Sequence, residues 1–112
     1  MINVVELAGA LTEDPELHDL ASGALRAEFT IGVKSVRWDR ASGCDVIDQV
    51  FPRIVAWEDV AEQAAKLIKG SVVHVRGQIT QQEITKDGKT DRKTKVRALV
   101  VSVVRTPSEP AF

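Results

Sequence analysis

The sequence predicts an all-β domain with one short helix. Apolar side chains alternate with polar ones over most of the chain, which is the pattern of strands with one buried face. Helical spacing of apolar residues occurs in a single segment, and glycine or proline separates the other segments. With 112 residues and 44% hydrophobic content, the chain is large enough for one core. We therefore expect one domain over residues 1–105 and a short C-terminal tail over residues 106–112.

The first two strands are predicted from their alternation. Residues 3–11 are rich in Val and Leu, and Gly9 among them indicates a bulge or a close approach of another backbone. Residues 12–22 are rich in turn formers and predict a connection. Residues 24–34 are the clearest strand, because apolar residues occupy every second position. These apolar residues are Leu25, Ala27, Phe29, Ile31 and Val33.

The middle of the chain predicts a hairpin, a third strand and the helix. Residues 35–48 mix charges with small turn residues and indicate a loop or the tip of a long hairpin. Residues 50–57 return as a strand, although Pro52 cannot donate to a ladder and favours an edge or a bulge. Residues 58–69 carry apolar side chains three and four apart and end before Gly70, which predicts a helix.

The last two strands predict a second hairpin. Residues 71–82 alternate, with Gly77 as a bulge candidate, and Asp87-Gly88 marks a tight turn before the last strand at residues 90–105. Five strands with a helix between the third and the fourth give the element order of a five-stranded Greek-key OB-fold barrel. A five-stranded SH3-like barrel is the alternative, but it does not ordinarily contain a helix at this place.

Charge is unevenly distributed, although the net charge is only −1. Residues 1–30 contain six acidic residues and one basic residue, whereas residues 81–105 contain seven basic and three acidic residues. So small a net charge excludes a protein that coats nucleic acid by charge alone. The basic C-terminal half could follow a phosphate backbone, or it could be the solvated face of a hairpin.

Cysteine and histidine are too few for a cysteine-based metal cluster or an intrachain disulfide. Cys44 is the single cysteine, and His18 and His74 are far apart in the sequence. Two acid pairs, Glu58-Asp59 and Asp45 with Asp48, could in principle hold a cation, but acidic residues are frequent at helix starts and in loops. We expect no enzymatic activity, no cofactor and no metal. Since no run approaches about 18 apolar residues and no leader is apparent, we also expect a cytoplasmic protein without membrane association.

Eight short segments, in their order and spacing, resemble the bacterial single-stranded DNA-binding protein family from Asn3 to about Val104. They are residues 3–9, 11–16, 29–31, 38–43, 53–57, 60–62, 69–71 and 77–79. Each segment consists of common residue types, so the resemblance depends on their combination. It implies an OB-fold that binds single-stranded DNA without marked sequence preference, in DNA replication, recombination or repair.

The same resemblance implies which rings stack on DNA bases. Trp38 matches a stacking position in type and place, Phe51 lies where the family has tryptophan or phenylalanine, and Trp57 lies where phenylalanine is more frequent. A fourth position lies near Ile84, where the family often has an aromatic residue. Since a stacked base contributes about 1–3 kcal/mol, the missing fourth ring predicts weaker binding. Phe29 is expected in the core instead.

Phosphate contacts require long cationic side chains beside these rings. The candidates are Lys34, Arg37, Arg40, Arg53, Lys86, Lys89, Arg92 and Lys93. Arg53 is the one that the family position favours most. Gln82 and Glu83 lie where relatives often carry Arg or Lys, so we expect modest affinity and a shallow dependence on salt.

The resemblance also implies partners. We expect single-stranded DNA, a second copy of the chain in a homotetramer or otherwise a dimer, and replication and repair proteins; the location would be cytoplasmic, at the nucleoid. The apolar opening strand would leave an edge that a symmetric partner covers. The alternative function is an OB-fold protein-interaction module, accessory to replication restart or recombination, with weak DNA binding. An oligosaccharide or anion binder is a third hypothesis, which depends on the fold alone.

Overall fold

Five strands close into a barrel. The computed structural model describes residues 1–107, and its elements in chain order are β1 (Val5–Leu11), β2 (Glu16–Asp19), β3 (Leu25–Asp39), β4 (Cys44–Val50), β5 (Arg53–Trp57), α1 (Glu58–Ala64), β6 (Val72–Lys86) and β7 (Lys89–Arg105). Strands β1, β6, β7, β5 and β3 are neighbours in that order, and β3 returns to β1 at Ala10 and Leu11. The β5–β7 pair is parallel and the other pairs are antiparallel. The predicted OB barrel, with its helix between the third and fourth barrel strands, is confirmed.

The core consists of the inward residues of these five strands and one side of α1. In β3 the inward positions Ala27, Phe29 and Ile31 are at most 1% exposed. Their partners come from the four other barrel strands, from α1 and from the turn that follows α1. They are Leu11, Ile54, Ala56, Ala61, Ala64, Leu67, Val73, Val75, Val96, Ala98 and Val101. The period-two pattern of the sequence therefore marks the buried face correctly.

Two glycines permit close approach of barrel strands. A Cβ at Gly9 would overlap the carbonyl oxygen of Gly32, and a Cβ at Gly77 would overlap that of Arg97. The β6–β7 register also shifts between Arg76 and Gly77. The predictions of a close approach at Gly9 and of a bulge at Gly77 are confirmed.

Two features of the prediction need correction, and the structure decides between the two alternatives at residues 35–48. The connection at residues 12–22 contains a strand, β2, which pairs with β3 through Glu16 to Asp19. Residues 35–48 are not a loop but the outer part of a long hairpin, the other predicted alternative, because β3 continues to Asp39 and pairs with β4. We call this two-stranded extension, residues 33–39 with β4, the arm.

The helix is shorter than residues 58–69, which is the second correction. After Ala64 the backbone tightens: the N–H groups of Lys66 and Leu67 donate to carbonyl oxygens three residues earlier, at 3.3 and 3.1 Å. Leu67 is nevertheless buried, which explains why apolar spacing continues beyond the helix. The chain turns at Gly70, whose φ is 88°. Of the predicted tail, residues 108–112 lie outside the described residues.

Candidate nucleic-acid interface

The outward side of β3 carries a row of three equally spaced positions. Since Ala27, Phe29 and Ile31 point into the core, the even-numbered residues of this strand point outward. Arg26, Gly32 and Trp38 are outward positions six residues apart. At about 3.3 Å per residue, successive positions are separated by about 20 Å of strand.

An aromatic ring lies at each of these positions. Arg26 pairs across the strands with Trp57, and its guanidinium carbon lies 5.8 Å from the centroid of that ring. The Phe51 ring lies over Gly32, with its Cε1 3.4 Å from where a Cβ would be. Trp38 is itself the third ring. Trp38 and Phe51 are 63% and 58% exposed, and Trp57 is half-buried. The structure thus aligns the three predicted rings along one face.

The tip of the arm holds its shape through local hydrogen bonds. The Ser42 hydroxyl donates to the Asp39 carboxylate at 2.7 Å, and the Gly43 N–H donates to the Asp39 carbonyl at 2.9 Å. The Ser42 hydrogen bond is the main reason that the pKa of Asp39 lies below its ordinary value. Trp38 therefore lies next to an ordered turn.

Trp57 is one wall of an open basin of about 360 Å³. Trp57 is the last residue of β5. The chain turns sharply from it into α1, because Glu58 has a φ of 56°, a left-handed value that is uncommon for glutamate. The basin is also lined by residues of β3, β6 and β7. They are Arg26, Glu28, Val55, Thr80, Gln82, Lys95 and Arg97. Arg26, Lys95 and Arg97 are cations beside a ring, and the sequence-based list of candidates lacks all three.

Glu28 lies in this basin and is 8% exposed. Its carboxylate accepts hydrogen bonds from Lys95 Nζ at 3.0 Å and from the guanidinium of Arg53 at 3.2 and 3.3 Å. Arg26 Nε is 3.8 Å away. Burial raises the pKa of Glu28, but the hydrogen bonds and charges of Lys95 and Arg53 outweigh burial and hold the pKa below its ordinary value of 4.5.

Acid is therefore expected to destabilise the barrel through Glu28. Because its folded-state pKa is lower than the unfolded value, its stabilising contribution is complete above about pH 4.5 and is lost as the pH falls through the lowered pKa. Urea unfolding between about pH 3 and pH 7 measures this loss. In Glu28→Gln the free energy of unfolding should fall less steeply over the same acidic range. The other carboxylates are common to both proteins, so an equal slope in the two would contradict the assignment.

Arg53, the phosphate candidate that the family position favours, is engaged in ion pairs. Its Nη2 atom lies 3.0 Å from Glu16 and 3.2 Å from Glu28, and its Nη1 donates to the Thr30 hydroxyl at 3.2 Å. The Arg53 side chain is 32% exposed. It faces the interface, but a phosphate would have to share it with two carboxylates.

The β6–β7 hairpin extends the basin outward. Thr80 and Gln82 pair with Lys95 and Lys93, and the same alternation places four of the predicted site residues on that face. They are Ile84, Lys86, Lys89 and Lys93. Ile84 is 45% exposed, so an aliphatic side chain occupies the outer part of the face. Arg92 lies on the opposite face and pairs with Glu83 at 3.0 Å.

The arm divides its cations in the same way. Lys34 shares the outward face with Trp38, and Arg40 is exposed at the tip. Arg37 lies on the opposite face and pairs with Asp48 at 2.9 Å. Charge alone does not separate Lys34 from Arg37. The alternation of side chains along β3 does, because even-numbered residues face outward and odd-numbered residues face the opposite side.

Among residues 1–107 no group of three or more His, Cys, Asp or Glu side chains could hold a metal ion. Cys44 is an exposed free thiol 3.1 Å from the Ser42 hydroxyl. No helix in this part of the chain has the length and apolar character to cross a bilayer.

A closed five-stranded barrel with rings and cations on one outer face defines the class of OB-fold binding proteins. Within this class, the chain belongs to the single-strand binding protein family, whose model matches residues 2–104. Membership of this family accords with the expectation of a protein without enzymatic activity.

Known relatives support this assignment. The single-stranded DNA-binding proteins of Aquifex aeolicus and Treponema pallidum are 32% and 31% identical over 96% and 92% of this chain. The chain spans 73% and 58% of their lengths, and 37% of the length of a Bifidobacterium longum relative that is 37% identical over 70% of the chain.

Two solved structures share the fold. A Plasmodium falciparum SSB in complex with single-stranded DNA has a TM-score of 0.86 and 20% identity, over 94% of this chain and 97% of that one. A deletion mutant of the single-stranded DNA-binding protein from Thermus aquaticus has a TM-score of 0.84 and 24% identity, over 93% of this chain and 51% of that one.

Proposed function

We propose that this protein binds single-stranded DNA without marked sequence preference, by base stacking on Trp38, Phe51 and Trp57. The observation that carries the proposal is the alignment of these rings on the outward side of β3. Rings that follow one another at about 20 Å along β3 suit a flexible DNA strand that crosses the whole face, since every base has a π-face to stack. Family membership and the DNA-bound relative support the same function.

The phosphate contacts that we propose come from the cations on the ring-bearing face. They are Lys34, Arg40, Lys86, Lys89, Lys93 and Arg97, with Arg26, Arg53 and Lys95 in positions shared with Glu28. Arg37 and Arg92 stay outside the proposed interface because each pairs with a carboxylate on the opposite face. Because several of the remaining cations are already paired, we retain the expectation of modest affinity and a shallow salt dependence.

A fluorescence titration with oligo(dT) at several salt concentrations tests this function. Tryptophan emission should be quenched on binding, since two of the three rings are tryptophans. Arg97 is exposed, and among residues 1–107 it has no ion-pair partner. Arg97→Gln should therefore weaken binding and reduce the slope of log affinity against log salt by about 0.7, the value of one phosphate contact on a single strand.

Arg92→Gln is the matched control, because it removes the same charge from the opposite face of the same strand. Its salt slope should equal that of the unmodified protein. The absence of quenching at low salt would refute the function, and equal slopes for the two variants would remove Arg97 from the interface.

We further propose self-association, as a homotetramer or otherwise a dimer, and a role in DNA replication, recombination or repair in the cytoplasm at the nucleoid. Residues 5–9 of β1 pair with β6 on one side. On the other side no described strand pairs with them, because β3 pairs with β1 only at Ala10 and Leu11. Exposed apolar side chains directly precede β1 in the chain, at Ile2 and Val4. Native mass spectrometry measures the number of copies, and co-purification tests for replication and repair partners.

A further inference from the structure

The basin beside Trp57 contains an internal anion at a place where a phosphate-binding face needs cations. Arg26, Glu28, Thr30, Gly32 and Lys34 are successive outward residues of β3, and Glu28 is the acidic one. Its 8% exposure sets it apart from the other carboxylates of the interface, such as Glu16, whose side chain is 58% exposed. A buried carboxylate is retained only with partners, and here the partners are the cations of the interface.

Both oxygens of the Glu28 carboxylate are engaged. Oε1 accepts from Lys95 at 3.0 Å and lies 3.8 Å from Arg26 Nε, while Oε2 accepts from Arg53 at 3.2 and 3.3 Å. This arrangement of several donors around one group of anionic oxygens is the one that a phosphate would receive. The Lys95, Arg26 and Arg53 side chains remain 21%, 31% and 32% exposed, so an incoming phosphate can reach them.

We propose that Glu28 acts as an internal competitor of the DNA phosphates and sets both the affinity of the interface and its dependence on salt. This inference rests on the proposed function. In the free protein, Glu28 holds Lys95 in the basin beside Trp57 and holds Arg53 farther along the same outward face. When a strand binds, its phosphates share or displace these pairs, so fewer counterions are released than the number of cations would give. Glu28 is thus a positioning residue that keeps binding moderate and reversible.

Glu28→Gln tests the proposal, because glutamine keeps the shape of the side chain and removes the charge. Affinity for fluorescein-labelled oligo(dT) is measured by anisotropy over a range of salt concentrations. We expect about tenfold tighter binding at low salt, as charge-assisted hydrogen bonds become available to phosphate. The salt slope should become steeper by up to about 1.4, which corresponds to two additional phosphate contacts.

Glu83→Gln is the charge-matched control. It makes the same change of net charge, but Glu83 pairs with Arg92 on the opposite face of the β6–β7 hairpin. Its affinity should change less than twofold and its slope should stay the same. If Glu28→Gln binds with unchanged or lower affinity and no steeper slope, while the unmodified protein binds normally, the competitor role is overturned and the proposed function stands.

A second variant keeps the test decisive if Glu28→Gln fails to fold, as circular dichroism would report. Glu16→Gln removes the exposed carboxylate that lies 3.0 Å from Arg53 Nη2. This variant should bind about twofold more tightly with a slightly steeper slope, since Arg53 loses one of its two anionic partners. Lys95→Gln then decides the proposal in comparison with Arg97→Gln: because Glu28 already pairs with Lys95, the salt slope should fall by less than the value of about 0.7 expected for Arg97, and an equal fall in the two variants would overturn the competitor role. Absence of binding by the unmodified protein would instead refute the proposed function.

Discussion

Replacing Gly77 with alanine is expected to lower the free energy of unfolding by about 3 kcal/mol or more, a large part of the stability of a small domain. Gly77 is buried in β6, where the register against β7 shifts. An added Cβ would overlap the carbonyl oxygen of Arg97. Because that atom belongs to the backbone of a barrel strand, no side-chain rotation relieves the overlap and two strands have to move apart.

Thermal unfolding followed by circular dichroism measures this effect, and the melting temperature should fall by about 10 °C or more. Gly32→Ala is the control, because its Cβ would meet the Phe51 ring at 3.4 Å, an ordinary contact. We expect that variant to change stability by less than about 1 kcal/mol. Similar losses in the two variants would contradict the backbone overlap at Gly77.

Removing the two exposed rings together is expected to have the largest effect on DNA binding. Trp38→Ala and Phe51→Ala should each weaken the binding of oligo(dT) by about 1–3 kcal/mol, and the double variant by about the sum. The sum corresponds to a loss of affinity of roughly 30-fold to more than 10⁴-fold. Because the two side chains are 63% and 58% exposed, the barrel should keep its melting temperature nearly unchanged.

Two further substitutions at Trp38 separate stacking from apolar contact. Trp38→Phe keeps a ring and should retain most of the affinity, whereas Trp38→Leu keeps apolar area without a π-face and should resemble Trp38→Ala. Anisotropy of a labelled oligonucleotide measures all of these variants independently of their tryptophan content. Equal affinity of the Phe and Leu variants would show that stacking is not what Trp38 contributes.

The barrel could be predicted from the sequence because its signals are local. Alternation in β3 identifies Ala27, Phe29 and Ile31 as buried, and Gly9 and Gly77 mark the close approaches. The strand β2 has no such signal: it is four residues long and has one half-buried side chain, so its pairing depends on β3 being present. The helix was predicted too long because apolar spacing continues through Leu67, which the tightened turn after Ala64 also buries.

The rings and the cations of the candidate site differ in how far sequence alone could identify them. Trp38, Phe51 and Trp57 are few enough, and placed well enough within the family pattern, to be selected by position. Lys95 and Arg97 alternate visibly with Val96 and Ala98, but their nearness to Trp57 requires the parallel pairing of β5 with β7. The ion pairs of Glu28 join residues 25 and 67 positions apart in the chain, so no local pattern could reveal them.

The arm gives the protein an adjustable reach. Apart from Val33, which packs against the core, no side chain of the arm belongs to the core or packs against it, so the arm can change in length beyond Val33 without altering the core. Each residue added to both strands extends the arm by about 3.3 Å and turns the outermost ring to the opposite face. Only additions of two residues per strand keep Trp38 in line with Phe51 and Trp57. Natural or designed variants should therefore lengthen this face in discrete steps of about 7 Å.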